Sequence, residues 1–431
     1  MVDAIAARRD ELVALASDLI AFDTTARSVD DPPRDEAALQ DYLAQRLAAA
    51  GAETELWEPQ ATDLAGRALI PPGLTFEGRP QLIARFPGSG GGRSLLLNGH
   101  IDVVSSEPRE QWSSDPNRAA VRDGRLYGRG SCDMKGGVAA MTLAAEALAQ
   151  EGVRLAGDLV VCTNTDEESS GAGGMALVAH GLRADAGIVP EPTGFEVWIA
   201  CRGSSYATIE VPGRPGHAEV AQPDWRHGGA VNAIEKVTVI LDEIRRLRNE
   251  WRGRDDLRHP YLSPGDVVPT VIAGGEWEVT YPASCRLTCG VLYLPAQADA
   301  DGWGSDVENE VRERMLRAAA ADDWLAEHPP TFTWSAGVMP MEIAPSEPIV
   351  TTVVRAAGDV GRSGKLAGLD SWYDGATFTR FAGTPAIAFG PGGLDGERTV
   401  AHTIDEFVPV DDLVACAQAL ALAAIRFCGV A

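Results

Sequence analysis

Six side chains suited to acid–base or metal chemistry fall at similar kinds of places along this sequence: His100, Asp133, Glu167, Glu168, Glu191 and His402. Histidine nitrogen and carboxylate oxygen are the donors that a zinc-type ion takes at about 2.0 to 2.2 Å, with a position left open for water or substrate. Two such ions about 3.5 to 4 Å apart can share one carboxylate and one water, which calls for an odd acid between two similar sets, and Asp133 is that odd acid. Taken singly, each residue has an ordinary explanation, because a strand-end histidine is usually hydrogen-bonded and an Asp ahead of a helix usually caps it. The adjacent pair Glu167-Glu168 is harder to explain that way, since like charges at a buried strand end repel unless a cation compensates them.

The surrounding pattern says how these residues are placed. Apolar runs at 81–86, 94–97, 158–163 and 186–189 read as buried strands, and three of them run into Asn98-Gly99-His100-Ile101-Asp102, Asp166-Glu167-Glu168 and Glu191-Pro192. A glycine-rich turn at 128–137 carries Asp133 and feeds an alanine-rich helix over 138–150. In open α/β sheets ligands bind at the carboxyl ends of strands, so these placements agree with one another. From about residue 201 the order changes to strand 206–211, helix 231–251, strands 267–273 and 285–294, helix 307–321 and strand 331–334, a β-α-β-β-α-β run. The fold expected is α/β: a catalytic domain (1–201 and 339–431) with a mostly parallel central sheet flanked by helices, interrupted by an inserted ferredoxin-like α+β domain (202–338).

Composition narrows the partners. With 37 basic against 62 acidic residues the formal charge is -25, a surface that repels a phosphate backbone or an anionic bilayer, so neither nucleic acid nor membrane is expected as a partner. The seven cysteines are scattered and odd in number, which argues against a disulfide framework, and Cys285 and Cys289 read as strand packing. The N-terminal segment is amphipathic at helical spacing (Leu12, Leu15, Leu19, Ile20), unlike a signal peptide's continuous apolar core, and a cytoplasmic location is expected.

The sequence also resembles the M20-type metallohydrolases over nearly its whole length, a group that includes acetylornithine deacetylase, succinyl-diaminopimelate desuccinylase and glutamate carboxypeptidase. The resemblance is carried by NGHIDVV at 98–104, QWSSDP at 111–116, GRLYGRGSCDMKGG at 124–137, TDEE at 165–168, PEP at 190–192, PGHA at 215–218 and AHTIDEFV at 401–408. It implies two divalent ions, zinc with cobalt or manganese as alternatives, one held by His100 and Glu191 and the other by Glu168 and His402, with Asp133 bridging. It further implies Glu167 as general base for a metal-bridged water, Asp102 as the partner of the other His100 ring nitrogen, a cis peptide after Asp133, and His217 as a hydrogen-bond donor to the oxyanion, often in the partner subunit's site. The inserted domain then acts as lid and dimerisation domain, and the expected assembly is a homodimer.

The substrate expected is a small-molecule amide of the N-acyl or N-formyl type. Members of the group that recognise an α-carboxylate carry an Asn-x-x-Pro turn and a strand arginine, whereas this chain has Val279 and Leu292 at those positions. Leucine cannot replace a bidentate carboxylate clamp, so either another cation such as Arg202 or Arg286 makes that contact or the substrate lacks the carboxylate. Arg202, Trp372, Tyr373 and Asp374 are the candidate substrate residues, and Trp277 and Tyr281 are aromatic candidates for a pocket wall. A dipeptidase or metallocarboxypeptidase is the alternative among enzymes, and a non-catalytic metal-binding scaffold the alternative outside them.

Overall fold

The structure is a computed structural model that describes residues 1–431 apart from 27, 30 and 397. The chain divides into two compact units, one formed by Met1–Ala200, Ile343–Gly368 and Tyr373–Ala431, the other by Cys201–Glu342 and Leu369–Trp372.

The first unit is an α/β structure built on one large sheet. Its strands lie in the order Glu53–Trp57, Gln81–Phe86, Leu159–Asn164, Leu95–His100, Ala186–Val189, Ala386–Ala388 and Val197–Cys201, and Leu366–Leu369 pairs with the last. The four central strands, from Leu159–Asn164 to Ala386–Ala388, are parallel, and antiparallel pairings occur towards the edges. All six residues of Leu95–His100 and of Leu159–Asn164 are buried, which is why both segments read as apolar runs rather than as alternating patterns. Side chains of successive strand residues alternate between faces. Leu96, Val160 and Cys162 pack with Leu177 and Val178 of the helix Ala172–Ala179 on one face. The helices Lys135–Gln150 and Val410–Cys428 pack on each other and on the Leu95–His100 strand.

The second unit is an antiparallel sheet in the order Asp266–Gly274, Ser284–Tyr293, Gly203–Pro212, Thr331–Ala336, made by a β-α-β-β-α-β chain path. Val237, Ile240, Ile244, Leu247 and Trp251, spaced three and four apart, are the buried stripe of its long helix Ala233–Gly253, which packs across the sheet. The strand Asp266–Gly274 is an edge, and its Val271 and Ile272 are more than half exposed. All seven cysteines are buried free thiols. Among the described residues no helix is long and apolar enough to cross a membrane.

Candidate metal centre

Parallel neighbours place their carboxyl ends at the same edge of a sheet, and adjacent strands are about 4.8 Å apart, so residues just past three adjacent strand ends are within side-chain reach of one another. His100 closes the middle strand, Asn164 closes its neighbour and leads into Thr165-Asp166-Glu167-Glu168, and Glu191 follows the third strand, Ala186–Val189. Asp133 arrives from ahead of the helix Lys135–Gln150, and the Asp133–Met134 peptide is cis, as the resemblance implied. His402 arrives on a loop before the strand Phe407–Pro409 and has a left-handed backbone (φ 62°).

All six side chains converge. Asp133 lies between the two histidines, with Oδ1 3.3 Å from His100 Nε2 and Oδ2 3.3 Å from His402 Nε2. Glu191 Oε2 is 3.9 Å and Glu167 Oε2 4.0 Å from His100 Nε2, whereas Glu168 Oε1 is 3.0 Å from His402 Nε2. Donor atoms of His100, Asp133 and Glu168 all fall within 4.8 Å of one another. The His100 side chain is 2% exposed and that of His402 51%, so the cluster opens to solvent on the His402 side.

The charges in this cluster are unbalanced. Burial, with added repulsion from neighbouring carboxylates, pushes Glu167 and Glu191 well above the usual carboxylate range despite the attraction of His100. Burial would lower His100, but its hydrogen bond to Asp133 and the charges of Glu167, Glu191 and Asp102 outweigh that and raise it well above its ordinary value. Hydrogen bonds to Asp133 and Glu168 raise His402 to about 10. Asp133 is held below its usual value, since burial is overcome by hydrogen bonds to both histidines. Divalent cations would balance these carboxylates. Glu191 Oε1 is buried without a hydrogen-bond partner, an orphaned acceptor of the sort a cation satisfies. The donor set of two imidazole nitrogens and several carboxylate oxygens fits zinc-type ions.

The remaining sequence candidates are placed as follows. His100 Nδ1 lies 2.9 Å from the backbone carbonyl of Asp102 and 3.7 Å from its carboxylate, so the main chain rather than the side chain is the nearer partner. The Asp102 carboxylate instead accepts the backbone N–H groups of Glu167 (3.2 Å) and Glu168 (3.0 Å), fixing the turn that carries both glutamates, and burial pushes it up to about 7. Asp374 is fully buried: Oδ2 accepts from Asn164 Nδ2 at 2.6 Å, Oδ1 has no partner, and burial raises it to about 6. Tyr373 corrects the expectation of a substrate contact, because it is 1% exposed and its hydroxyl donates to the sheet carbonyls of Ala386 (3.1 Å) and Trp198 (3.4 Å), making it a core residue.

In the second unit Trp372 is half-buried. The Arg202 guanidinium donates to the backbone carbonyls of Asp370 (2.6 and 2.9 Å) and Pro264 (3.1 Å). His217 is exposed and forms an antiparallel bridge with Thr280. Its Nδ1 accepts the Glu219 amide at 3.3 Å, which puts the proton of the neutral ring on Nε2 and leaves that nitrogen as an outward donor. Trp277 and Tyr281 line a surface cleft of about 440 Å³ together with Ala218.

Sequence reasoning missed the residues that brace the cluster. Buried Arg79 donates to Asp166 Oδ1 at 2.6 Å, compensating a charge that the TDEE motif otherwise leaves buried. Asn98 Nδ2 donates to Asn164 Oδ1 at 2.7 Å, and Asn164 in turn holds Asp374. Arg129 and Glu406 form a buried ion pair, and both lie inside motifs already noticed. The available signal was that an acid at a fully apolar position needs a nearby cation.

Known proteins resemble this chain over most of its length. Residues 96–426 match the model of peptidase family M20/M25/M40. The chain is 28% identical to an N-formyl-4-amino-5-aminomethyl-2-methylpyrimidine deformylase of Halalkalibacterium halodurans, covering 97% of this chain and 95% of that one. It is 32% identical to an acetylornithine deacetylase of Myxococcus xanthus, covering 97% and 98% respectively. Among solved structures, an aminopeptidase from Bacillus cereus superposes with a TM-score of 0.72 at 19% identity, covering 97% of this chain and 98% of that one, a likeness of fold. With a converged cluster of two histidines and four carboxylates and a family match over most of its length, the chain belongs to peptidase family M20/M25/M40.

Proposed function

We propose that this protein is a dinuclear zinc amidohydrolase that removes a small acyl group, formyl or acetyl, from an amine lacking a neighbouring carboxylate. The observation that carries the reading is the division of Asp133's two oxygens between His100 and His402, each histidine with its own glutamate nearby. One ion would be held by His100 and Glu191, the other by Glu168 and His402, and Asp133 would serve both. When bound, the ions supply Lewis acidity and lower the pKa of water in the site towards neutrality.

Glu167 acts as the general base. Its carboxylate stands 4.0 Å from His100 Nε2, beside the Glu168 side chain that contacts the other histidine, and its burial favours accepting a proton. It takes a proton from the attacking water and delivers it to the departing nitrogen, so that the products are a carboxylic acid and a free amine. The resemblance assigns to His217, often in the partner subunit's site, the hydrogen bond to the oxygen on which negative charge develops, and removing such a donor costs about 10²–10³ in rate.

Three features support a substrate without an α-carboxylate. Leu292, at the position where carboxylate-recognising members of the group have arginine, stands between Asp266 and Ser204 in its sheet and offers no cationic donor. Three of the five N–H donors of Arg202 are directed at main-chain carbonyls. The deformylase similar to this chain is named for an N-formyl aminopyrimidine. Comparing kcat/KM for N-formyl and N-acetyl amines, N-acyl α-amino acids and dipeptides tests the reading. Preference for amines without a carboxylate by tenfold or more is expected, while preference for dipeptides would favour the peptidase reading that the family model and the Bacillus cereus fold relative keep open.

The second unit is proposed as a lid and as the contact of a cytoplasmic homodimer. The exposed edge strand Asp266–Gly274, with Val271 and Ile272 outward, supports that reading because open apolar edges favour pairing. Sedimentation at micromolar concentration tests it.

A further inference from the structure

We infer that Glu406 is the positioning residue that sets the place of the bridging carboxylate, an inference that rests on the metal-centre reading above. The strand Phe407–Pro409 pairs antiparallel with Arg125–Tyr127, with Phe407 opposite Tyr127. Glu406 therefore comes out of the pairing beside the turn that leads to Asp133, and its carbonyl accepts the Gly128 N–H at 3.1 Å. Its side chain is fully buried. Oε1 accepts the N–H groups of both Cys132 (2.8 Å) and Asp133 (3.1 Å), and Oε2 pairs with Arg129, whose other nitrogen donates to the Ser105 carbonyl at 3.1 Å.

One residue thus holds the 128–133 turn at its beginning, at Arg129 and at Asp133 itself, and it lies four positions after His402. The same side chain links the backbone of the bridging acid to the loop of the second histidine. Donors converge on both of its oxygens, so a carboxylate satisfies them all. A glutamine would present an amide NH₂ either to Arg129 or to the two backbone N–H groups, leaving donor against donor. The result reaches Asp133 directly, because its oxygens contact the two histidines at equal distances of 3.3 Å, and a shift of the backbone in either direction favours one histidine over the other.

The test is metal affinity, measured by competition with a chromophoric chelator, together with the visible absorption of the cobalt-loaded protein, for wild type, Glu406→Gln and Glu146→Gln. Glu146 is another buried acid, paired with Arg8 and Arg46 away from the centre, and serves as the control for simple loss of a buried ion pair. Loss of such a supporting partner costs about 10–100-fold in metal affinity. Glu406→Gln is expected to show that loss and an altered cobalt spectrum, whereas Glu146→Gln loses thermal stability but keeps wild-type affinity and spectrum. Arg129→Lys, which loosens the same clasp, is expected to follow Glu406→Gln in milder form and decides the matter if Glu406→Gln is insoluble. Wild-type affinity and spectrum in Glu406→Gln, or in Arg129→Lys when that variant decides, overturn the inference while leaving the metal-centre reading intact. A wild-type protein that binds no metal overturns both.

Discussion

Glu167 and Glu168 are consecutive, yet they face different histidines: Glu168 Oε1 is 3.0 Å from His402 Nε2, and Glu167 Oε2 is 4.0 Å from His100 Nε2. The split is built into the backbone. Asp166 before them is left-handed (φ 63°), and the Asp102 carboxylate accepts both glutamate N–H groups, so the turn cannot relax to place both acids on one side. Glu168 is within hydrogen-bond reach of His402, whereas Glu167 is not within hydrogen-bond reach of His100.

Asp133→Ala is expected to empty both metal positions, because both histidine sets share that residue. Metal analysis after dialysis should find about two ions per chain in wild type and close to none in the variant. Retention of both ions would show that Asp133 is not the bridge.

Metal uptake should release protons. His402 is raised to about 10, and His100, Glu167 and Glu191 are also raised, which favours their protonated forms. Ligands bind as the bare forms, so uptake expels those protons and affinity increases as pH rises towards the His402 value. Calorimetry in buffers of different ionisation enthalpy measures the release. Uptake with no proton release, or affinity that falls as pH rises through neutrality, would contradict this electrostatic picture.

Tyr373→Phe separates a core residue from a pocket residue. Losing the hydroxyl's bonds to Ala386 and Trp198 should cost about 0.5–1.5 kcal/mol, seen as a lower thermal midpoint, with KM unchanged. A raised KM at unchanged stability would return Tyr373 to the substrate pocket.

Arg79→Met should be among the more destabilising single changes, about 3–5 kcal/mol, because it leaves Asp166 as an uncompensated buried charge. Denaturant unfolding measures it. The double variant with Asp166→Asn should recover part of the loss, and a double variant worse than the sum of the single changes would contradict the pairing.

The candidate ligands were legible in the sequence because strand ends in a parallel sheet leave local signatures: apolar runs closing on His100, on Glu167-Glu168 and near Glu191. The register that brings them together is non-local, as is the pairing of Phe407–Pro409 with Arg125–Tyr127 that delivers His402, and neither leaves a local pattern. Two helix starts were hidden by glycine. The helix expected from 138 begins at Lys135, and Gly136 and Gly137, which read as a turn, are small because Ser131 and Pro190 carbonyls would lie 2.3 and 2.1 Å from any added Cβ. The helix Ala172–Ala179 went unread for a similar reason, as Gly173 abuts the Thr165 carbonyl. Close packing overrode weak helix propensity in both places. Tyr373 misled in the opposite direction, since an aromatic residue beside changed motifs gives no sign of which way it faces.

The most direct test of the account is Glu167→Ala, assayed for bound metal and for hydrolysis of an N-formyl amine. The variant should keep about two ions per chain and lose turnover by about 10²–10⁴-fold, the contribution of a general base. Turnover equal to that of wild type, with both ions in place, would contradict it.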